Sequence, residues 1–179
     1  LVSFLTNPIE GFVRQRLGAR IPDEERPHAD QLDVALAPLD RWAIGDRFLA
    51  RMLAGTDLAA CQAAELRRGT LPPYAFGTRE LRDISTDVAA VFAAAESARV
   101  GTSSTVDLVV PLPDGRRVYG TVGDIHAGTV ITATYSKLRA KQRLTAWIRL
   151  LAVAAARQAV GHGDDVRAAA VIARRPTRS

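Results

Sequence analysis

The residues best placed for chemistry lie in the stretch Thr129–Lys137 (TVITATYSK) and the basic segment after it, LRAKQRLTAWIRLLAVAAARQAV. The first is β-branched and apolar and reads as a strand; the second has helical periodicity. A strand ending in a lysine just ahead of a helix can aim side chains at a phosphodiester and a divalent metal. Residues i and i+2 of a strand point the same way, so two such groups can converge on one metal and one phosphate. Magnesium is a hard cation that takes oxygen ligands, normally with one or two protein carboxylates. The pair that faces together here is Thr134 and Ser136, and hydroxyls do not replace an anionic ligand. A register built on Lys137 puts Tyr135 beside it and turns the pair to the opposite sheet face. Residues 125–163 contain no aspartate or glutamate, so no register of this strand supplies a carboxylate.

Charge adds a second signal. The chain of 179 residues carries a net charge of +5, and residues 137–179 hold ten basic and two acidic side chains. That excess suits a polyanion or an acidic protein surface; a solvated helix face is the plainer reading. Other chemistry is poorly served. His28, His126 and His162 stand apart, without paired metal-ligand spacing, and His162 with Asp164 and Asp165 reads as a polar turn. There is no GxxxxGK for nucleotide phosphates and no GxSxG for a serine nucleophile, so neither a cofactor nor a small-molecule substrate is expected. Cys61 is the single cysteine and reads as a small buried helix residue, in keeping with a reducing cytoplasm. No apolar run is long enough for a membrane span, and no signal-peptide pattern opens the sequence. With Met52 as its one methionine and Leu1 as its first residue, the chain reads as a piece of a longer protein.

These residues need a frame. Residues 2–18 read as a helix with Phe4, Leu5, Phe12, Val13 and Leu17 as buried candidates, broken near Asn7-Pro8 and stopped by Gly18. Pro22 to Pro38, rich in acidic residues, reads as an irregular surface excursion. Helix resumes from Leu39 to Leu53. Asp57 can N-cap a further helix that ends at Gly69, ahead of Pro72-Pro73. Leu81 to Ala98 is a third strong helix. From Gly101 the pattern changes. Thr105–Leu112 and Arg116–Val122 read as strands joined by a two-residue Asp114-Gly115 hairpin. Gly123–Gly128 makes a turn, and Thr129–Ser136 a third strand. Residues 138–160 form a helix with Leu144, Trp147, Ile148, Leu151 and Ala155 on its buried stripe, terminated by Gly161-His-Gly163. Ala168–Ala173 is a last strand, followed by a basic tail over 174–179. Trp42 and Trp147 have apolar neighbours at helical spacing and read as core, although either could stack on bases. The fold class is α+β: helices over 1–100, then a sheet-and-helix core over 101–175 made of a three-stranded antiparallel meander, a long helix and a final strand, all in one domain spanning 1–179.

That order is similar to the core of the PD-(D/E)xK, restriction-endonuclease-like nucleases. Their pattern places a carboxylate on the second core strand and an acid-x-lysine on the third. On this resemblance Gly123, Thr134 and Ser136 occupy the degenerate motif positions, with Gly120-Thr-Val-Gly123 standing where the family has Gly-x-x-Asp. Asp124 follows, but in regular β geometry it points away; a β-bulge would turn it back. Four further segments carry a closer likeness: Phe4–Gly18, Leu39–Arg47, Leu71–Gly77 and Leu138–Trp147. In this order they resemble the RecC C-terminal domain family, over about Leu1 to Ala173. Active nuclease relatives often carry a histidine after the glycine matched by Gly45, where Phe48 and Leu49 stand here.

What the resemblance implies is a domain without catalysis, catalytic residues or bound metal. It would sit in the RecBCD helicase–nuclease (exodeoxyribonuclease V) with RecB and RecD, scaffold the complex, and guide or split DNA strands in double-strand break repair and recombination. If DNA is a ligand, Arg139, Lys141 and Arg143 are the first candidates for phosphate contacts, because point charges on a helix need no base-specific geometry. Their other reading is a solvated helix turn or a protein interface. The alternative function is a divergent metal-dependent nuclease using Asp107, Asp124 and an acid from elsewhere in the chain.

Overall fold

The computed structural model describes residues 2–19, 35–160 and 166–175. Two short helices open it, α1 (Val2–Thr6) and α2 (Pro8–Arg16). The expected break falls at Asn7, whose side chain caps the second helix by accepting from the Glu10 amide. None of the residues in these two helices is buried, and Phe4, Leu5, Phe12 and Leu17 are exposed. The sequence expectation of a buried face is corrected here. Nine residues make too short a helix to cross the core, and α1 packs against α2 and against a later helix of the chain.

Helix α3 (Pro38–Leu53) buries Ile44, Gly45, Phe48 and Leu49 at i, i+4 spacing. Asp57 caps α4 (Leu58–Arg68) through the Ala60 amide at 2.8 Å, and Gly69 ends it in the left-handed region at φ 68°. Both follow the sequence, and so does fully buried Cys61. Helix α5 (Tyr74–Ala98) begins seven residues ahead of the expected Leu81, because Pro73 is already outside the helix and its successor turns straight into it.

Strands β1 (Ser104–Pro111) and β2 (Arg117–His126) pair antiparallel. Their turn is one residue longer than expected: the Leu112 amide donates to the Arg116 carbonyl, enclosing Pro113, Asp114 and Gly115, with Gly115 at φ 84°. β2 runs on through His126, so the expected loop 123–128 shrinks to Ala127 and Gly128, both at positive φ. That two-residue turn leads into β3 (Thr129–Lys137). Helix α6 (Ala140–Val160) crosses over, and β4 (Ala168–Arg174) pairs parallel to β3. The helix stop expected at 161–163, the polar turn at 162–165, most of the acidic excursion and the last part of the basic tail lie outside the described residues. The strand order is β1-β2-β3-β4, so the architecture is α+β with a mixed four-stranded sheet. Among the described residues, no helix is long and apolar enough to cross a membrane.

Helices α3 and α5 cover one face of the sheet and α6 the other. On the first face Phe48, Leu49, Ile84, Val88 and Tyr135 interlock. Gly45 is required there, since a Cβ at that position would overlap the Tyr135 ring. On the second, Leu108, Val122, Ile125 and Val130 meet Val153, Ala156 and Val166.

Candidate functional site

The end of β3 is where the sequence places its chemistry. Side chains alternate along this strand: Val130 packs on the α6 side, where Thr132 also accepts from Arg149 at 3.2 Å, and Ala133 and Tyr135 belong to the α3/α5 side. The pairing with β4 then slips, from Thr134↔Ala173 straight to Lys137↔Arg174. This irregularity folds Ser136 onto its neighbour. The Ser136 amide donates to Thr134 Oγ1 at 3.2 Å, and the Trp42 indole N–H donates to Ser136 Oγ at 3.0 Å. Both hydroxyls are thus engaged by protein donors.

Gly123 sits in a second irregularity. Ser104 pairs with Ile125 and Val106 with Val122, so Gly123 and Asp124 together oppose Thr105. This is a β-bulge, with Asp124 in the left-handed region at φ 59°. The turned carboxylate is occupied. Its Oδ2 takes the Arg99 guanidinium at 2.9 Å and its Oδ1 faces His126 Nε2 at 3.1 Å. Arg99 also reaches Glu96 at 3.3 Å, and the hydrogen bond to Asp124 pushes its guanidinium pKa up. Asp107 accepts from Thr121 Oγ1 across the β1–β2 pair at 2.8 Å. Among the described residues, no group of three or more His, Cys, Asp or Glu side chains is placed to hold a metal ion.

Beside the β3 end lies an open pocket of about 350 Å³ lined by Trp42, Ser136, Lys137, Arg139, Gln142 and Arg174. Among the described residues its walls carry three cations and no carboxylate. Gln142 Oε1 accepts from the Arg139 amide at 3.1 Å and so shapes the start of α6. Arg174 is held from behind by Asp87 at 3.1 Å and lies 4.8 Å from the centre of the Tyr135 ring. Burial pushes the Tyr135 hydroxyl pKa up, so it stays protonated beside these groups. Of the three basic residues marked in the sequence, Arg139 lines the pocket, whereas Lys141 and Arg143 are exposed on the first turns of α6.

Two expectations fail near this site. Trp42 and Trp147 are exposed rather than core, at 39% and 66%. Trp42 shares the stripe of Gly45 and Leu49 but meets the sheet only at the end of β3, through Ser136. On α6 the buried residues are Ala146, Val153 and Ala156, while Leu144, Trp147 and Leu151 face outward. Val153 and Ala156, with Leu150 and Ala152 beside them, pack on Leu108 and Ile125, one step around the helix from the exposed stripe. The sequence did not single out Gln142 and Arg174. For Arg174 a signal existed: a parallel last strand places the residue after Ala173 beside the end of β3.

A family model of the RecC C-terminal domain matches residues 1–175. The chain is also similar to the RecBCD enzyme subunit RecC of Mycolicibacterium smegmatis, at 37% identity over 155 residues, which covers 87% of this chain and 14% of that protein. The Mycobacterium tuberculosis protein of the same name gives the same 37% over 155 residues, again 87% of this chain and 14% of the relative. The chain therefore spans about a seventh of the length of the curated relatives it matches.

Proposed function

The chain belongs to the RecC C-terminal domain family, and on that premise we propose that it acts as one nuclease-like domain without catalysis, which scaffolds a RecBCD-type complex and guides or parts DNA strands. Its partners in this reading are RecB and RecD subunits and DNA, and its setting is double-strand break repair and recombination in the cytoplasm. The helical part over 1–100 and the sheet-and-helix part over 101–175 work as a unit, because α3 and α5 pack on β3.

The observation that carries this reading is the chemistry at the end of β3. Thr134 and Ser136 offer hydroxyls already engaged by protein donors, and the acid on the bulge, Asp124, is neutralised by Arg99. A carboxylate already paired with a guanidinium has its charge offset and so offers a metal less, and a lone carboxylate makes a poor magnesium site. For the scaffolding role, the outward stripe of Leu144, Trp147 and Leu151 is the supporting feature: large apolar groups left in water are characteristic of protein contact surfaces.

Co-purification with RecB and RecD homologues tests it. The chain is expected to be retained with them, and Trp147→Glu with Leu151→Glu is expected to abolish retention while far-UV circular dichroism stays unchanged. No retention of the unaltered chain would contradict the scaffold role. The bulge favours a second reading, a divergent metal-dependent nuclease using Asp124 and Asp107, since only a bulge brings Asp124 out of register. Calorimetric titration with Mg²⁺ or Mn²⁺ separates the two: saturable binding lost in Asp124→Asn would favour the second.

A further inference from the structure

We propose that the pocket of Trp42, Ser136, Lys137, Arg139, Gln142 and Arg174 holds a phosphodiester of an unpaired nucleic-acid strand, with the adjoining base stacked on Trp42. This deepens the strand-guiding reading and rests on it.

Counter-charge is the first support. Lys137 and Arg139 make no side-chain hydrogen bond or ion pair among the described residues, unlike Arg41, Arg47 and Arg99, which are each tied to a carboxylate. Two cations without such a partner converge on a space whose lining, among the described residues, includes no acid, and Arg174 adds a third that Asp87 and Tyr135 hold in position. An anion entering the pocket is met by charges it need not pull away from other partners. α6 has no acidic residue in its first turn, so the start of its helix dipole adds to the same field.

Trp42 is the second support. Ser136 Oγ pins its indole N–H at 3.0 Å, which fixes the ring while leaving 39% of the residue exposed beside the cations. A fixed aromatic face next to backbone-binding cations is what unpaired strands use: every base has a π-face, and each phosphate needs a positive partner. In a duplex the base faces are covered by their neighbours, so Trp42 would find nothing to stack on. The pocket is also open, which suits a polymer passing along it.

Fluorescence titration tests the proposal, using the whole chain with Trp147→Phe so that Trp42 is the one indole reporter. Oligothymidylate is expected to quench Trp42 and to bind more tightly than a duplex of equal length, and pyrophosphate is expected to compete. Followed by anisotropy of a labelled oligonucleotide, Trp42→Ala should weaken binding by about ten-fold, with Trp42→Phe retaining most of it. Lys137→Ala with Arg139→Ala should reduce the slope of log affinity against log salt by about 1.4. Unaltered affinity and slope in these variants, with weakening by Lys141→Glu and Arg143→Glu instead, would overturn the pocket while leaving strand guiding intact. No binding of any oligonucleotide at low salt would overturn it too, and the co-purification with RecB and RecD then reports separately on the scaffold role.

Discussion

The two faces of the sheet are covered differently. On the α3/α5 face, large side chains interlock: Tyr135 and Phe48 are almost wholly buried, and the backbone of α3 comes so near Tyr135 that position 45 must be glycine. On the α6 face the helix packs Leu150, Ala152, Val153 and Ala156 against the sheet cluster and leaves Leu144, Trp147 and Leu151 exposed. One face is sealed by the chain itself and holds the shape. The other leaves exposed a bulky apolar stripe that the remaining described residues do not cover. A self-contained domain gains by burying tryptophan and leucine; leaving them out is consistent with a surface made for assembly.

The contrast can be broken most severely from the sealed side. Tyr135→Ala removes a fully buried ring under Gly45 and is expected to cost about 3–5 kcal/mol in urea unfolding, enough to unfold a marginal domain. A loss below about 1 kcal/mol would mean that this face is not close-packed. Next in size is Arg99→Ala, which strips the partner from Asp124 and Glu96 at the bulge; about 1–2 kcal/mol is expected by the same measurement. A smaller effect is expected at Asp46 of α3, whose pKa burial raises above the ordinary aspartate range. The folded state therefore favours the protonated acid. Its penalty is absent below the ordinary aspartate pKa and sets in as the pH rises through the folded value. Asp46→Asn should accordingly raise the melting temperature slightly at neutral pH and lose that advantage in acid; an advantage that grows as the pH falls would refute the assignment. The smallest change belongs to the open side. Leu144→Ser with Leu151→Ser should stay within about 1 kcal/mol of the parent in the isolated chain, and a larger loss would place the stripe in the core.

Much of the frame was legible because local chemistry decides it. Asp57 and Gly69 bracket α4, β-branched runs mark β1 and β3, and Gly128 opens the way for a tight turn. Periodicity was legible as well, but it gives a stripe without saying where the core beneath it ends. Trp42 lies on the right stripe but over the last residues of β3, where it stays partly in solvent. On α6 the apolar residues are numerous all round, and the packed stripe runs through Leu150, Val153 and Ala156, one step around the helix from Trp147 and Leu151. The bulge at Gly123-Asp124 and the slip after Thr134 depend on pairing across strands, which no local pattern encodes. Those two irregularities shape the candidate site, so Asp124, Thr134 and Ser136 could be named from sequence, whereas their partners, and Gln142 and Arg174 of the pocket, could not.

On the reading proposed above, the end of β3 receives a nucleic-acid strand and leaves it intact. The direct measurement incubates the chain with end-labelled single-stranded and duplex DNA in Mg²⁺ and in Mn²⁺, resolving products on a denaturing gel alongside Asp124→Asn. Full-length DNA in every lane, with retarded single strand on a native gel of the same mixture, is the result expected. Metal-dependent fragments that vanish in Asp124→Asn would contradict it.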